Sequence, residues 1–222
     1  MLEVHHLNRS RSHRILWLLE ELGCAYEVVR HARDAESLLA PASLAAVHPL
    51  GKAPVLVDDG AVLAESGAIV EHLLETRDGG GLLPAAGSPE HRRYRFWLHH
   101  AEGSAMPLLT MRLTFAVLPR RTPALLRPMA RLISNGVQRR RIDPQIALFA
   151  RVWEDELARD GWFAGADFSA ADIQMSYPVE AAAGRLGLGE THPNIARFIA
   201  AIRARPAYRR ALEASGDERA VL

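Results

Sequence analysis

Cysteine occurs once in the 222 residues, as Cys24. An internal disulfide and a Cys-x-x-Cys redox pair are therefore excluded, which suits a reducing compartment. No apolar run reaches the ~18 residues of a bilayer-spanning helix. The first residues lack the apolar core of a signal peptide and carry histidine and arginine early. Net charge is only +1, so no global field draws nucleic acid or an anionic membrane. What is present is 49% hydrophobic and 24% charged residues, the balance of a globular protein long enough to bury a sizeable core. A cytoplasmic protein with neither a membrane nor a nucleic-acid partner is expected.

The first 78 residues alternate between strand and helix patterns. Leu2–Leu7 reads as a short strand. Ile15, Leu18, Leu19 and Leu22 recur at helical spacing until Gly23 stops them. "AYEVVRH" from Ala25 reads as a second strand, and "ESLLAPASLAA" as a weak helix interrupted or started by Pro41. "APVLVDDGAVLAES" reads as two strands joined by Asp59-Gly60, a strong hairpin signal. Ile69, Val70, Leu73 and Leu74 give another helix. The order is βαβαββα, with the first two strands parallel through a right-handed crossover. A Gly- and Pro-rich stretch, "DGGGLLPAAGSPE", follows as a linker. Beyond it strand signals fade, and helical periods run through 89–118, 142–159, 169–184, 194–204 and 206–214. The expected division is an α/β domain over 1–78, a linker over 79–88 and an all-α helical bundle over 89–222.

Three short stretches carry candidate chemistry. In "HHLNRSRSHRILWLLEELG" a helix begins under two serines and three arginines. Ser10 and Ser12 read either as caps for free N–H groups or, with Arg11 and the helix dipole, as a cradle for an anion such as a thiolate. In "HPLGKAPVL", Ala53-Pro54 precedes an apolar strand. This is an ordinary turn, or a cis-proline corner whose exposed backbone pairs with an extended peptide. In "LAESGAIVEHL", Glu65-Ser66 opens another helix. Ser66 is a cap or a carboxylate holder, and Glu65 a neighbour or an ammonium partner.

Together these stretches, with "FSAADI" (Phe168–Ile173), resemble the glutathione transferase family along nearly the whole chain. "KAPVL" looks like its cis-proline strand, "ESGAI" like its glutamate-serine motif, and "FSAADI" like its buried capping box. "SRSHRILWLLEELG" looks like the fungal and bacterial members with a Ser-Arg-Ser start. The resemblance implies a thioredoxin-like first domain and glutathione as co-substrate. It implies that Glu65 and Ser66 hold the γ-glutamyl end, Ala53 beside Pro54 pairs with the cysteinyl backbone, and Lys52 reaches the glycine carboxylate. The sulfur then lies at the first helix against a serine hydroxyl. Ser10 is favoured over Ser12, because the family's serine lies four residues before the arginine that aligns with Arg14. Arg11 stands where some relatives carry asparagine.

In the helical half, His99, His100 and Glu102 suggest a metal site only superficially, since adjacent histidines diverge on a helix; no metal is expected. Pro107 is expected to kink its helix. Met106, Met111 and Phe115 are candidates for the wall of an apolar electrophile pocket. From Pro119 to Arg141 there are seven arginines and no acid, read as a solvated face. The expected function is a homodimeric glutathione transferase that activates the thiolate toward a small electrophile. The alternatives are a glutathione-dependent disulfide reductase and a non-catalytic glutathione-binding protein.

Overall fold

The computed structural model describes residues 1–34, 39–77 and 81–217. The first halves of the expected weak helix and linker thus fall partly outside it. Four strands form one sheet in the order β2-β1-β3-β4. They are β1 (Leu2–Leu7), β2 (Tyr26–His31), β3 (Val55–Asp58) and β4 (Ala61–Ala64). β1 runs parallel to β2 with Leu2 opposite Tyr26 and antiparallel to β3 with Leu2 opposite Asp58. The Asp59-Gly60 turn closes the β3–β4 hairpin, with both residues at positive φ. β1 is internal and buried at nearly every position, its polar His5 and His6 included.

Helices α1 (His13–Leu22), α2 (Ala42–Val47) and α3 (Ser66–Thr76) complete this thioredoxin-like half. An all-α half follows: α4 (Pro89–His100), α5 (Met106–Arg121), α6 (Arg127–Val137), α7 (Asp143–Asp160), α8 (Ala170–Leu186), α9 (Leu188–Thr191), α10 (Pro193–Ala204) and α11 (Pro206–Ser215). α8 is buried from Ala170 through Ala182 and packs on α1, α3, α4, α5 and α10. One continuous apolar core therefore joins sheet and bundle.

The single helix expected over 89–118 is divided. A π-turn, Ala101–Ala105, separates α4 from α5. Pro107 has no N–H for the ladder, so the widened turn falls where the α-helical pattern is already broken. Within the arginine-rich segment a proline helps to start a helix. Pro128 sits in the first turn of α6, where its missing N–H is harmless.

At the start of α8 the buried Asp172 carboxylate accepts from the backbone N–H groups of Phe163 and Ser169, both at 2.8 Å. Removing it strands two buried donors. Asp172→Ala is expected to cost roughly 3 kcal/mol in denaturant unfolding.

His13 is fully buried; neither ring nitrogen has a hydrogen-bond partner, and its ring meets Tyr208 edge-on. Burial pushes its imidazole down to about 3 from an ordinary 6.5. The unfolded chain takes up a proton where the folded one does not, so stability falls as acid is added below the unfolded value. The slope approaches about 1.4 kcal/mol per pH unit. His13→Phe is expected to remove that one-proton slope from unfolding free energies measured between about pH 6 and about pH 4.

Candidate active site

Neither serine of the first loop caps α1. Ser12 stands at its start, but the side chain makes no cap hydrogen bond. Its Oγ turns back to β1, accepting from Leu7 N–H at 3.2 Å. It lies 2.9 Å from His6 Nδ1 and 2.7 Å from Ser10 Oγ. Asp217, delivered beyond α11, brings Oδ2 to 3.1 Å from His6 Nε2 and accepts from Arg9 N–H at 2.6 Å. Ser12 is wholly enclosed, whereas Ser10, also largely buried, opens onto a cavity.

Arg14 is 0% exposed and organises the other side of the loop. Nη1 donates to Gln174 O at 2.8 Å. Nη2 donates to Ser66 Oγ at 3.2 Å and to Glu102 Oε1 at 2.5 Å. Glu102 projects from the π-turn, and its other oxygen accepts from Arg11 Nη1 at 2.5 Å. Burial raises the Glu102 carboxyl, but Arg14 and Arg11 outweigh it and keep the group below the ordinary carboxylate range. Ser66 Oγ also accepts from Gln174 Nε2 at 3.1 Å. With both acceptor positions used, the Ser66 proton is left for a group in the cavity.

The cavity has a volume of about 560 Å³, the size of a small-molecule site. One wall brings together Ser10, Arg11, Lys52, Ala53, Pro54, Glu65 and Ser66. The Ala53–Pro54 bond is cis. Glu65 has φ 72°, a left-handed conformation costing about 1 kcal/mol for a side chain of this type. The other wall carries Met106, Thr110 and Leu113 from one face of α5, with Tyr177 from α8. Of the three expected pocket residues only Met106 lines it. Met111 is 48% exposed and Phe115 packs against the core, because the cavity-facing row is 106, 110, 113. His6, Asp217, Thr110 and Tyr177 join the site without having been singled out from sequence. The one available signal was two histidines inside an otherwise buried strand. His100 is structural, accepting from Trp153 Nε1 at 3.1 Å. Among the described residues no group of three His, Cys, Asp or Glu side chains is arranged to hold a metal ion.

A family model described as the glutathione S-transferase N-terminal domain matches residues 3–75. Glutathione S-transferase 3 of Schizosaccharomyces pombe is 35% identical over 218 residues, 98% of this chain and 89% of that protein. The chain belongs to the glutathione S-transferase family. Glutathione S-transferase 1 of Saccharomyces cerevisiae is 30% identical across 94% of this chain and 92% of its own length. The crystal structure of a glutathione S-transferase from Actinobacillus pleuropneumoniae superposes with a TM-score of 0.78 at 31% identity, over 97% of this chain and 93% of that one. The family's two-part architecture is thus shared along the whole transferase chain.

Within that architecture Arg14 is the buried charge that reaches both halves. Arg14→Met leaves Ser66 with one donor and Glu102 with Arg11 alone. It is expected to lower unfolding stability by roughly 3–5 kcal/mol, whereas a surface control such as Arg140→Met is expected to stay within about 0.5 kcal/mol.

Proposed function

We propose that the cavity binds glutathione in an extended form and stabilises its thiolate for attack on an electrophilic small molecule. Ser66 carries the assignment. Two buried donors occupy its lone pairs and aim its proton outward, so it is prepared for an anionic acceptor such as the γ-glutamyl carboxylate. Glu65 receives the neighbouring ammonium. The Ala53 backbone pairs with the cysteinyl residue as one added strand, and Lys52 meets the glycine carboxylate. The sulfur then rests near Ser10, at the positive end of α1, where one hydroxyl hydrogen bond and the helix dipole favour the charged form. Arg11, fixed by Glu102, adds positive potential. The electrophile lies against Met106, Thr110 and Leu113, and proximity supplies much of the acceleration. The protein acts in the cytoplasm as a homodimer, for which the exposed Phe96, Leu148 and Val152 offer apolar surface.

Calorimetric titration tests the binding mode. Ser66→Ala is expected to weaken glutathione binding about tenfold, the loss of roughly 1.4 kcal/mol, in protein that still folds but melts lower, because Arg14 and Gln174 each lose a buried acceptor. Ser10→Ala is expected to raise, by about one pH unit, the pH at which bound thiolate appears in ultraviolet difference spectra. Properly folded protein that takes up no glutathione defeats the proposal. Turnover of mixed disulfides with none of a chlorodinitroarene transfers the activity to reduction.

A further inference from the structure

The hydroxyl beside the cavity is the end of a buried chain of hydrogen-bonding groups. It runs from Asp217 Oδ2 to His6 Nε2 at 3.1 Å and from His6 Nδ1 to Ser12 Oγ at 2.9 Å. It ends from Ser12 Oγ to Ser10 Oγ at 2.7 Å. His6 and Ser12 are essentially inaccessible, so bulk water does not interrupt it. Every link is within hydrogen-bond distance, and the exposed end is the serine assigned to the sulfur. We propose that His6, backed by Asp217, accepts the glutathione thiol proton through Ser12 and Ser10. The inference rests on the glutathione site proposed above and adds where its proton goes.

Donor and acceptor roles close in both states. A carboxylate only accepts, so Asp217 fixes the His6 proton on Nε2 and leaves Nδ1 as an acceptor. Ser12 then donates to His6 Nδ1, and Ser10 donates to Ser12. Ser10 Oγ accepts from Ser12 N–H at 3.3 Å, and its second lone pair faces the cavity for an S–H donor. Breaking the S–H bond passes its proton to Ser10 Oγ. The Ser10 proton passes to Ser12 Oγ, and the Ser12 proton to His6 Nδ1. The products are a thiolate and an imidazolium, with Asp217 unchanged and no proton gained or lost. In the new state His6 donates to Ser12, Ser12 to Ser10, and Ser10 to the thiolate. Ser12 still accepts from Leu7 N–H. Each hydroxyl thus has one donated and at most two accepted bonds in either state. Leu7 O, at 3.3 Å, is the longer alternative for the Ser12 proton.

The groups facing His6 are Asp217, Arg30 and His31 on β2, and His13 at the start of α1. Arg9 N–H and Arg33 face Asp217. Burial holds His6 below its ordinary value; Asp217 opposes that, while Arg30 and His31 reinforce it. The imidazole is therefore neutral and able to accept before glutathione arrives. The negative sulfur, forming at the other end of the chain, then favours the imidazolium. His6 and Asp217 never touch the tripeptide and act as positioning residues.

Proton counting on the intact protein decides the matter without a variant. Glutathione binding is measured calorimetrically near neutral pH in buffers of different ionisation enthalpy. S-methylglutathione, which has no thiol proton, sets the baseline for every other group. Bound thiolate is quantified by ultraviolet difference absorbance in the same samples. Retention on His6 predicts close to zero protons released per thiolate formed. One proton released per thiolate overturns the relay while leaving the glutathione site intact, whereas no uptake of either ligand defeats the site itself. Asp217→Asn, with folding checked by thermal melting, is expected to raise the pH of thiolate appearance by about one unit. It is also expected to turn binding proton-releasing. An unchanged midpoint and proton count in that variant also overturn the assignment.

Discussion

The buried Arg14 guanidinium is the constraint on which the rest of the molecule depends. A charge taken out of water is tolerated only when matched by a counter-charge and enough acceptors. Arg14 finds these in Glu102 and Gln174 of the helical half and Ser66 of the α/β half. The two halves are therefore joined by charge compensation as well as by a common apolar core. The same bonds set the direction of the Ser66 hydroxyl. One side chain thus meets a structural requirement and fixes a hydroxyl that lines the cavity.

The π-turn between α4 and α5 belongs to that arrangement. It carries Glu102, whose two oxygens separately meet Arg14 and Arg11. Arg11 and Arg14, held this close, would otherwise repel each other. Glu102 neutralises part of that charge and fixes Arg11 beside the cavity, leaving a wall rich in donors. Glu65 is the one acid lining that cavity among the described residues, which gives the wall a dipolar pattern suited to a zwitterionic end.

The α/β half was largely legible in the sequence because local rules acted together there. Helical periods, the Asp59-Gly60 turn and the short Leu2–Leu7 strand pattern all agreed, and the sheet follows them. The helical half was less legible where proline was involved. Pro128 stands in the first turn of α6, in a segment where no helical period was read, and no periodicity marks a π-turn. Loop residues Ser10, Lys52, Ala53, Pro54, Glu65 and Ser66 were readable as a group and do share one cavity. Met111 and Phe115 were not separable from Met106 by residue type, since only helix rotation decides which side chains face inward. The partners behind Ser10 were not read as part of the site. His6 is one of two adjacent histidines in buried β1, and Asp217 reaches it only through the docking of α11 on α1.

That docking has a temporal side. His6 and Asp217 lie 211 positions apart, and a growing chain emerges with its first residues leading. The four strands, the cis-proline corner and the Arg14 partners all leave the ribosome before the residue that lends His6 its counter-charge. Translation thus imposes an order of delivery: the residues of the cavity emerge first, and the carboxylate behind His6 comes last.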